Sequence, residues 1–294
     1  MSRAYIKNLQ LTEDIAVFSK EKFKDNRTPF ANALKVHLYA FSGSSCQGRE
    51  DISPCLEALM LALDMIDDIQ DGDNEQSVWK KKGQAVSLNA AISLLTISLL
   101  HVLAQANRPD IAKMMLTYLS RSIEGQHQDI YGDIANAEQY IEMIKMKSGS
   151  LLAMANRMGA MLAGHRDSPI IEEYSCDLGI ASQLENDLRD IVKMEEKSDW
   201  KLKKKTLPVL YLLNKEIQEG EVVRAYYKGE ISFEKLKEHQ NEVIHLLKKS
   251  GALNYTIAQK ILYEQRALRK IESLPIADEN IQRIKDHYFN REED

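Results

Sequence analysis

Leu61-Ala62-Leu63-Asp64-Met65-Ile66-Asp67-Asp68-Ile69-Gln70-Asp71-Gly72-Asp73 runs five aspartates into an apolar segment. Aspartate is a poor helix-interior residue, and like charges one turn apart repel. Leu56, Met60 and Leu63 follow helical spacing and define an inward stripe. The same spacing carries that stripe to Asp67 and then to Asp71, so two carboxylates one turn apart point toward a core. Buried carboxylates without partners are costly. A hard cation such as Mg²⁺, held by one or two carboxylates and by substrate phosphates, compensates them. A polar helix end with solvated aspartates is the alternative, since Gly72 follows. A calcium-binding EF-hand loop fails: starting at Asp67 puts Ile69 at the third position, and starting at Asp71 puts Gln76 where the sharp-turn glycine belongs.

Outward from this stretch the apolar spacing stays helical. It predicts helices over 9–23, 28–41, 51–71, 84–106, 109–131, 136–163, 169–192, 206–217, 231–249, 253–273 and 276–289, with no convincing strand. Thirteen glycines and 6 prolines in 294 residues are few for a turn-rich protein. No linker divides the chain, so one all-α domain over 1–294 is expected, a helical bundle around a deep central cavity with the last four helices wrapping the earlier ones. With 44% apolar and 28% charged residues the chain is globular. Its 39 Lys and Arg against 44 Asp and Glu give a net charge of −5, which excludes binding a nucleic-acid backbone by bulk charge. The N-terminus lacks the apolar core of a secretory signal. The apolar stretch around 93–104 is read as too short to span a bilayer. Cys46, Cys55 and Cys176 form neither a disulfide framework nor a zinc site. A cytoplasmic location is expected.

A second acidic cluster lies in Ile180-Ala181-Ser182-Gln183-Leu184-Glu185-Asn186-Asp187-Leu188-Arg189-Asp190. Ile180, Gln183, Asp187 and Asp190 share one helical face, so polar groups again continue an apolar stripe. Two such clusters on separate helices can meet across a bundle cavity, where metal sites are commonly built. Between 109 and 131 the stripe reads Met115, Leu119, Ile123, Gln126, Ile130, with Asp129 beside it. Between 136 and 163 it reads Tyr140, Ile144, Lys147, Leu151, Met154, Met158, Leu162. Lys147 inside an apolar seam needs an anion, either a structural carboxylate or a substrate phosphate. Lys201, Lys203, Lys204 and Lys205 form a basic run, a solvated face or a cover for a diphosphate.

Together these segments resemble the trans-isoprenyl diphosphate synthase family. Its first aspartate-rich motif is similar to Asp67-Asp68-Ile69-Gln70-Asp71. Its Gly-Gln-x-x-Asp is similar to Gly125-Gln126-His127-Gln128-Asp129, and its Lys-Thr segment to Lys147-Ser148-Gly149. Its second aspartate-rich motif is similar to Gln183 through Asp190, and its Lys-x-Thr-Leu-Pro to Lys204-Lys205-Thr206-Leu207-Pro208. The matches keep the family's order from about 60 to 210. The departures are specific. The family's basic Gly-Gly-Lys-Arg-x-Arg-Pro loop is replaced by Phe41-Ser42-Gly43-Ser44-Ser45-Cys46-Gln47-Gly48-Arg49. Its Arg-Arg-Gly after the first motif is replaced by residues 76–83, and Asn186 opens the second motif. Loss of the arginines is expected to weaken bidentate diphosphate recognition at the second substrate site. This pattern, with Asp73, Asn74 and Trp79, the stretch 87–94 and Gly125-Gln126-His127, resembles the ComQ-type branch of bacilli.

The resemblance implies an enzyme that moves a geranyl or farnesyl group from its allylic diphosphate to a tryptophan of a competence pheromone precursor peptide, without nucleic acid. It implies Mg²⁺ on Asp67, Asp68, Asp71, Asp187, Asn186 and Asp190, with Asp67, Asp68, Asp71 and Asp187 catalytic. It implies diphosphate ligands at Lys147, Gln126, Gln183, Lys204 and Arg49, a cavity floor at Ala62 and Leu63 that sets chain length, and a possible homodimer. Short-chain prenyl diphosphate synthesis from isopentenyl diphosphate is one alternative, and a non-catalytic helical adaptor another. A terpene cyclase fails: counted from Asn186, the offsets of its second motif hold Asp190 and Met194.

Overall fold

Long stretches without glycine or proline leave the backbone free to satisfy its own hydrogen bonds, and helices dominate the computed structural model. It describes residues 6–25, 27–42, 52–72, 76–106, 108–166, 168–194, 199–214, 217 and 220–290. Among these, no strand occurs. The helices are α1 (Leu9–Lys22), α2 (Pro29–Ser42), α3 (Ser53–Asp71), α4 (Val78–Lys81), α5 (Gln84–Ala106), α6 (Pro109–Tyr131), α7 (Ala137–Ile144), α8 (Ser150–Leu162), α9 (Pro169–Asp190), α10 (Leu207–Leu213), α11 (Glu221–Tyr227), α12 (Phe233–Glu238), α13 (Gln240–Lys249), α14 (Ala252–Glu272) and α15 (Asp278–Phe289). A π-helical turn, Lys145–Gly149, separates α7 from α8.

The long helices match the apolar spacing within about two residues, as helix ends allow. The expected helix 136–163 is broken by the π turn. The expected 231–249 is split at His239, and 206–217 stops at Leu213. The short α4 and α11 were not foreseen, because one or two turns are too few to register a period.

The chain divides into two compact units. The first holds 1–117, 153–172 and 271–294. In it α3 lies along α5, α2 packs on α3, and α15 packs on α2. Phe18, Leu61, Ala62, Met65, Trp79, Ala90, Ala91 and Leu94 make a core between α1, α3, α4 and α5. Buried Glu57 of α3 accepts the Ala31 N–H in the first turn of α2 at 2.7 Å, satisfying a group the helix itself cannot.

The expected limit on apolar length is corrected here. Over Gln84–Ala104, α5 is long and apolar enough to cross a bilayer, although 39% of that stretch is buried in the chain. Its inner face carries Ser87, Ala90, Ala91, Leu94, Ile97, Ser98 and Val102. Its outer face exposes Leu88, Ile92, Leu100 and Leu103.

The second unit holds 118–152 and 173–270. One core joins Tyr140, Met143 and Ile144 of α7 to Ile180, Leu184 and Leu207. Another joins Trp200, Val209, Leu212, Val223, Tyr226, Leu236, Val243 and Leu247. Here the expected stripe of α6 is corrected. Ile123 and Ile130 are exposed, and the packed face carries Ser122 and Gly125. Backbone comes too close for a larger residue: a Cβ on Gly125 would lie 2.4 Å from the Lys147 nitrogen. Ser122 Oγ donates to the Lys147 carbonyl at 2.8 Å. On the other side of the π turn, a Cβ on Gly179 of α9 would lie 2.6 Å from Gly149 Cα. Small residues on α6 and α9 thus hold the π turn, a distortion often found at functional sites.

Candidate active site

In the first unit, α3 carries the leading aspartates. Leu56 and Met60 are buried, Leu63 and Asp67 half-buried, and Asp71 buried at the last turn. The stripe therefore runs from apolar to acidic as its spacing requires, leaving Asp67 and Asp71 one turn apart.

Asp68 is engaged elsewhere. Its Oδ2 accepts the indole N–H of Trp79 at 2.9 Å, and Lys80 Nζ donates to its carbonyl at 3.3 Å. Trp79 is buried and meets Phe18 edge-on, with ring centres 6.5 Å apart. Ser87 Oγ donates to the Trp79 carbonyl. Glu21 accepts the Val78 N–H at 3.2 Å, and Lys82 pairs with buried Asp14 at 2.9 Å. The segment after the aspartates is thereby tied to α1 and α3. The Oδ2 atom of Asp68 takes part in that anchoring, a bond that the adjacency of the two aspartates did not reveal. Ala62 lies within the α1–α3–α5 core. Arg49, Cys46, Asp73 and Asn74 lie outside the described residues.

In the second unit, α9 presents Gln183 half-buried and Asp187 buried. Asp187 Oδ1 accepts from Gln183 Nε2 at 3.1 Å, and Oδ2 accepts from the Tyr140 hydroxyl. Gln183 Oε1 accepts from Ser148 Oγ at 3.1 Å. The π turn, α7 and α9 are thereby joined through one carboxylate. Burial is the main force pushing the Asp187 carboxyl up to about 7. Hydrogen bonds from Tyr140 and Gln183 oppose it, while Asp199 and Asp129 add to it. Burial, then the neighbouring Asp187, holds the Tyr140 phenol well above its ordinary value. Asn186 accepts from Arg189 at 2.9 Å, and Asp190 pairs with Arg189 at 3.2 Å.

Lys147 and Lys204 converge on one oxygen. Their ammonium nitrogens lie 2.9 Å and 3.2 Å from Asp129 Oδ2, and all three side chains are largely buried. Burial raises the Asp129 carboxyl, but the two ammonium groups outweigh it and hold the group below its ordinary value. Lys147 thus has the carboxylate partner that its seam position required. Two cations on one anion leave a positive excess at a partly buried place, suited to a phosphate oxygen.

Reading the sequence for apolar stripes missed three groups: the Tyr140 hydroxyl, Ser148 and Trp79. For Tyr140 and Trp79 the available signal was that a buried phenol or indole has one polar atom that needs a partner. Among the described residues no three His, Cys, Asp or Glu side chains gather as a cation cage. Mg²⁺ takes one or two carboxylates and completes its shell with water and substrate phosphate, so these oxygen donors fit it.

The polyprenyl synthetase family model matches residues 18–244. The tryptophan prenyltransferase ComQ of Bacillus spizizenii is 31% identical over 271 residues, 92% of this chain and 96% of that protein. The enzyme of the same name from Bacillus subtilis strain 168 is 32% identical over 275 residues, 91% of this chain and 88% of that protein. A polyprenyl synthase from Caulobacter crescentus CB15, solved with calcium and isoprenyl diphosphate, shares the fold. It has a TM-score of 0.78 and 20% identity, covering 96% of this chain and 92% of the other.

Proposed function

The chain belongs to the polyprenyl synthetase family, and on that premise we propose that it transfers an isoprenyl group from an allylic diphosphate to a tryptophan of a pheromone precursor peptide. The observation that carries this reading is its likeness, across nearly its whole length, to relatives named tryptophan prenyltransferases. The residues agree. Both carboxylate clusters are kept, while the arginines of a second diphosphate site are replaced, which disfavours chain elongation. In the reaction the donor's carbon–oxygen bond ionises and diphosphate leaves with the electron pair. An indole carbon of the peptide then attacks the allylic cation, and the ring loses a proton. Lys147 and Lys204 stabilise the leaving diphosphate by charge. In the first unit Asp67 and Asp71 would hold Mg²⁺; in the second, Asp187 with Asn186 and Asp190 would do so. When bound, Mg²⁺ supplies Lewis acidity toward the diphosphate oxygens. Gln183 orients Asp187, and Gln126 would contact the diphosphate. Ala62 and Leu63, about one turn before Asp67, would limit the length of the donor tail. Cytoplasmic action and a homodimer through exposed apolar faces of α5 and α6 complete the reading.

Incubation of the protein with Mg²⁺, geranyl or farnesyl diphosphate and the Trp-containing precursor peptide tests it by mass spectrometry. The expected result is a peptide heavier by one isoprenyl unit. An unchanged peptide with both donors, together with diphosphate-chain growth from isopentenyl diphosphate, would establish the elongation reading instead.

A further inference from the structure

The basic turn that carries Lys204 has an unusual backbone. Lys203 sits at φ 53°, the left-handed region that helix-terminating glycines normally occupy. The Lys204 N–H donates to the Asp199 carbonyl at 2.8 Å, and the Lys203 N–H to the Trp200 carbonyl at 3.1 Å. These two bonds make the helix-ending motif that demands a left-handed residue, with lysine in the glycine position. Such strain persists only where surrounding contacts over-determine it.

Those contacts come from α11. The Tyr226 hydroxyl donates to the Trp200 carbonyl at 2.6 Å, and the Tyr227 hydroxyl to the Lys204 carbonyl at 2.7 Å. The Lys203 ammonium lies 4.8 Å from the centre of the Tyr226 ring, where a cation is attracted to the π face. Trp200 is buried, and its indole donates to the Ile191 carbonyl at 2.9 Å. The platform is itself fixed. Arg224 of α11 donates to the Leu212 and Asn214 carbonyls, each at 3.2 Å, and to Ile217 at 2.7 Å. The turn's last lysine is also tied, since Lys205 Nζ donates to the Gly132 carbonyl at 2.9 Å. Two consecutive tyrosines thus grip successive parts of one strained turn, and the outer grip falls on Lys204.

We propose that Tyr227, backed by Tyr226, is a positioning residue that fixes the backbone of Lys204 and so aims its ammonium at the donor's diphosphate. The inference rests on the reading of Lys204 as a diphosphate ligand. It adds that the affinity of that lysine is set by a helix lacking any motif in common with the family segments named above.

The test is titration calorimetry of inorganic diphosphate with Mg²⁺ on the full chain, comparing wild type, Lys204→Ala, Tyr227→Phe and the double variant. Tyr227→Phe removes one hydroxyl and is expected to weaken binding roughly tenfold, the worth of one well-made hydrogen bond. Because the hydroxyl acts through Lys204, the double variant should bind no more weakly than Lys204→Ala alone. Additive losses in the double variant, or unchanged affinity in Tyr227→Phe, would overturn the positioning role. Unchanged affinity in Lys204→Ala would instead sink the reading of Lys204 as a ligand. Thermal unfolding accompanies each titration. If Tyr227→Phe lacks a cooperative transition, Tyr226→Phe takes its place, with the same expected non-additivity and the same overturning result.

Discussion

Asp67 and Asp68 are neighbours in sequence with different physical tasks. One continues an inward stripe, whereas the other accepts an indole N–H at 2.9 Å. An amide oxygen can still accept that bond, though more weakly than a carboxylate oxygen does. Asp68→Asn is therefore expected to keep peptide prenylation within a few-fold of wild type, while Asp67→Ala abolishes it. Steady-state kcat/KM for both variants checks this, and an inactive Asp68→Asn would return Asp68 to the cation ligands. Asp187 gives a pH signature. Its carboxyl is pushed up to about 7 in the fold against 3.8 in a free chain. Between those values the folded state binds more protons, so this group's contribution is fully present below about pH 4 and is lost as pH rises through about 7. The metal-free protein should lose thermal stability over that window, and Asp187→Asn should flatten the loss. The spacing alone exposed Asp187 as an inward acid. It could not expose Tyr140, whose ring fits an apolar stripe and whose hydroxyl bond depends on tertiary placement 47 residues away.

At the scale of elements, the long helices were legible because each spans several turns and buries one face. The π turn was not, since Gly125 and Gly179, which approach it most closely, lie on other helices. Apolar periodicity favoured Ile123 on α6, yet the packed face belongs to Ser122 and Gly125. Close backbone approach selects small residues, which a hydrophobic pattern discounts. Methyl groups at these contacts should expose the logic. Gly125→Ala and Gly179→Ala place a Cβ 2.4 Å and 2.6 Å from backbone atoms that cannot rotate away. Each is expected to cost about 1–3 kcal/mol, the usual range for overpacking. Urea unfolding measures it, with exposed Glu124→Ala as a control expected to stay within about 0.5 kcal/mol. Equal stability of Gly179→Ala and wild type would mean that α9 can shift away from the π turn without loss.

For the whole molecule, the net charge of −5 conceals two opposite local arrangements. Acidic groups are held on buried faces of α3 and α9, and two lysines crowd one carboxylate of α6. The charge distribution of α5 is different again. From Gln84 to Ala106 it contains no Lys, Arg, Asp or Glu, although Leu88, Ile92, Leu100 and Leu103 are exposed. A helix shaped only by its own chain would place charges on that side. Exposed apolar side chains gathered on one face are what a partner surface would cover. Leu116, Ile123 and Ile130 repeat every seven residues along α6 and are exposed as well. The homodimer proposed above would remove these faces from water. Ile92→Asp introduces a charge on the outer face of α5 without touching its buried side, so it should shift the protein to monomer in sedimentation equilibrium and leave the helical circular dichroism intact. A wild-type protein that sediments as monomer and floats with lipid vesicles would assign the face to a membrane surface.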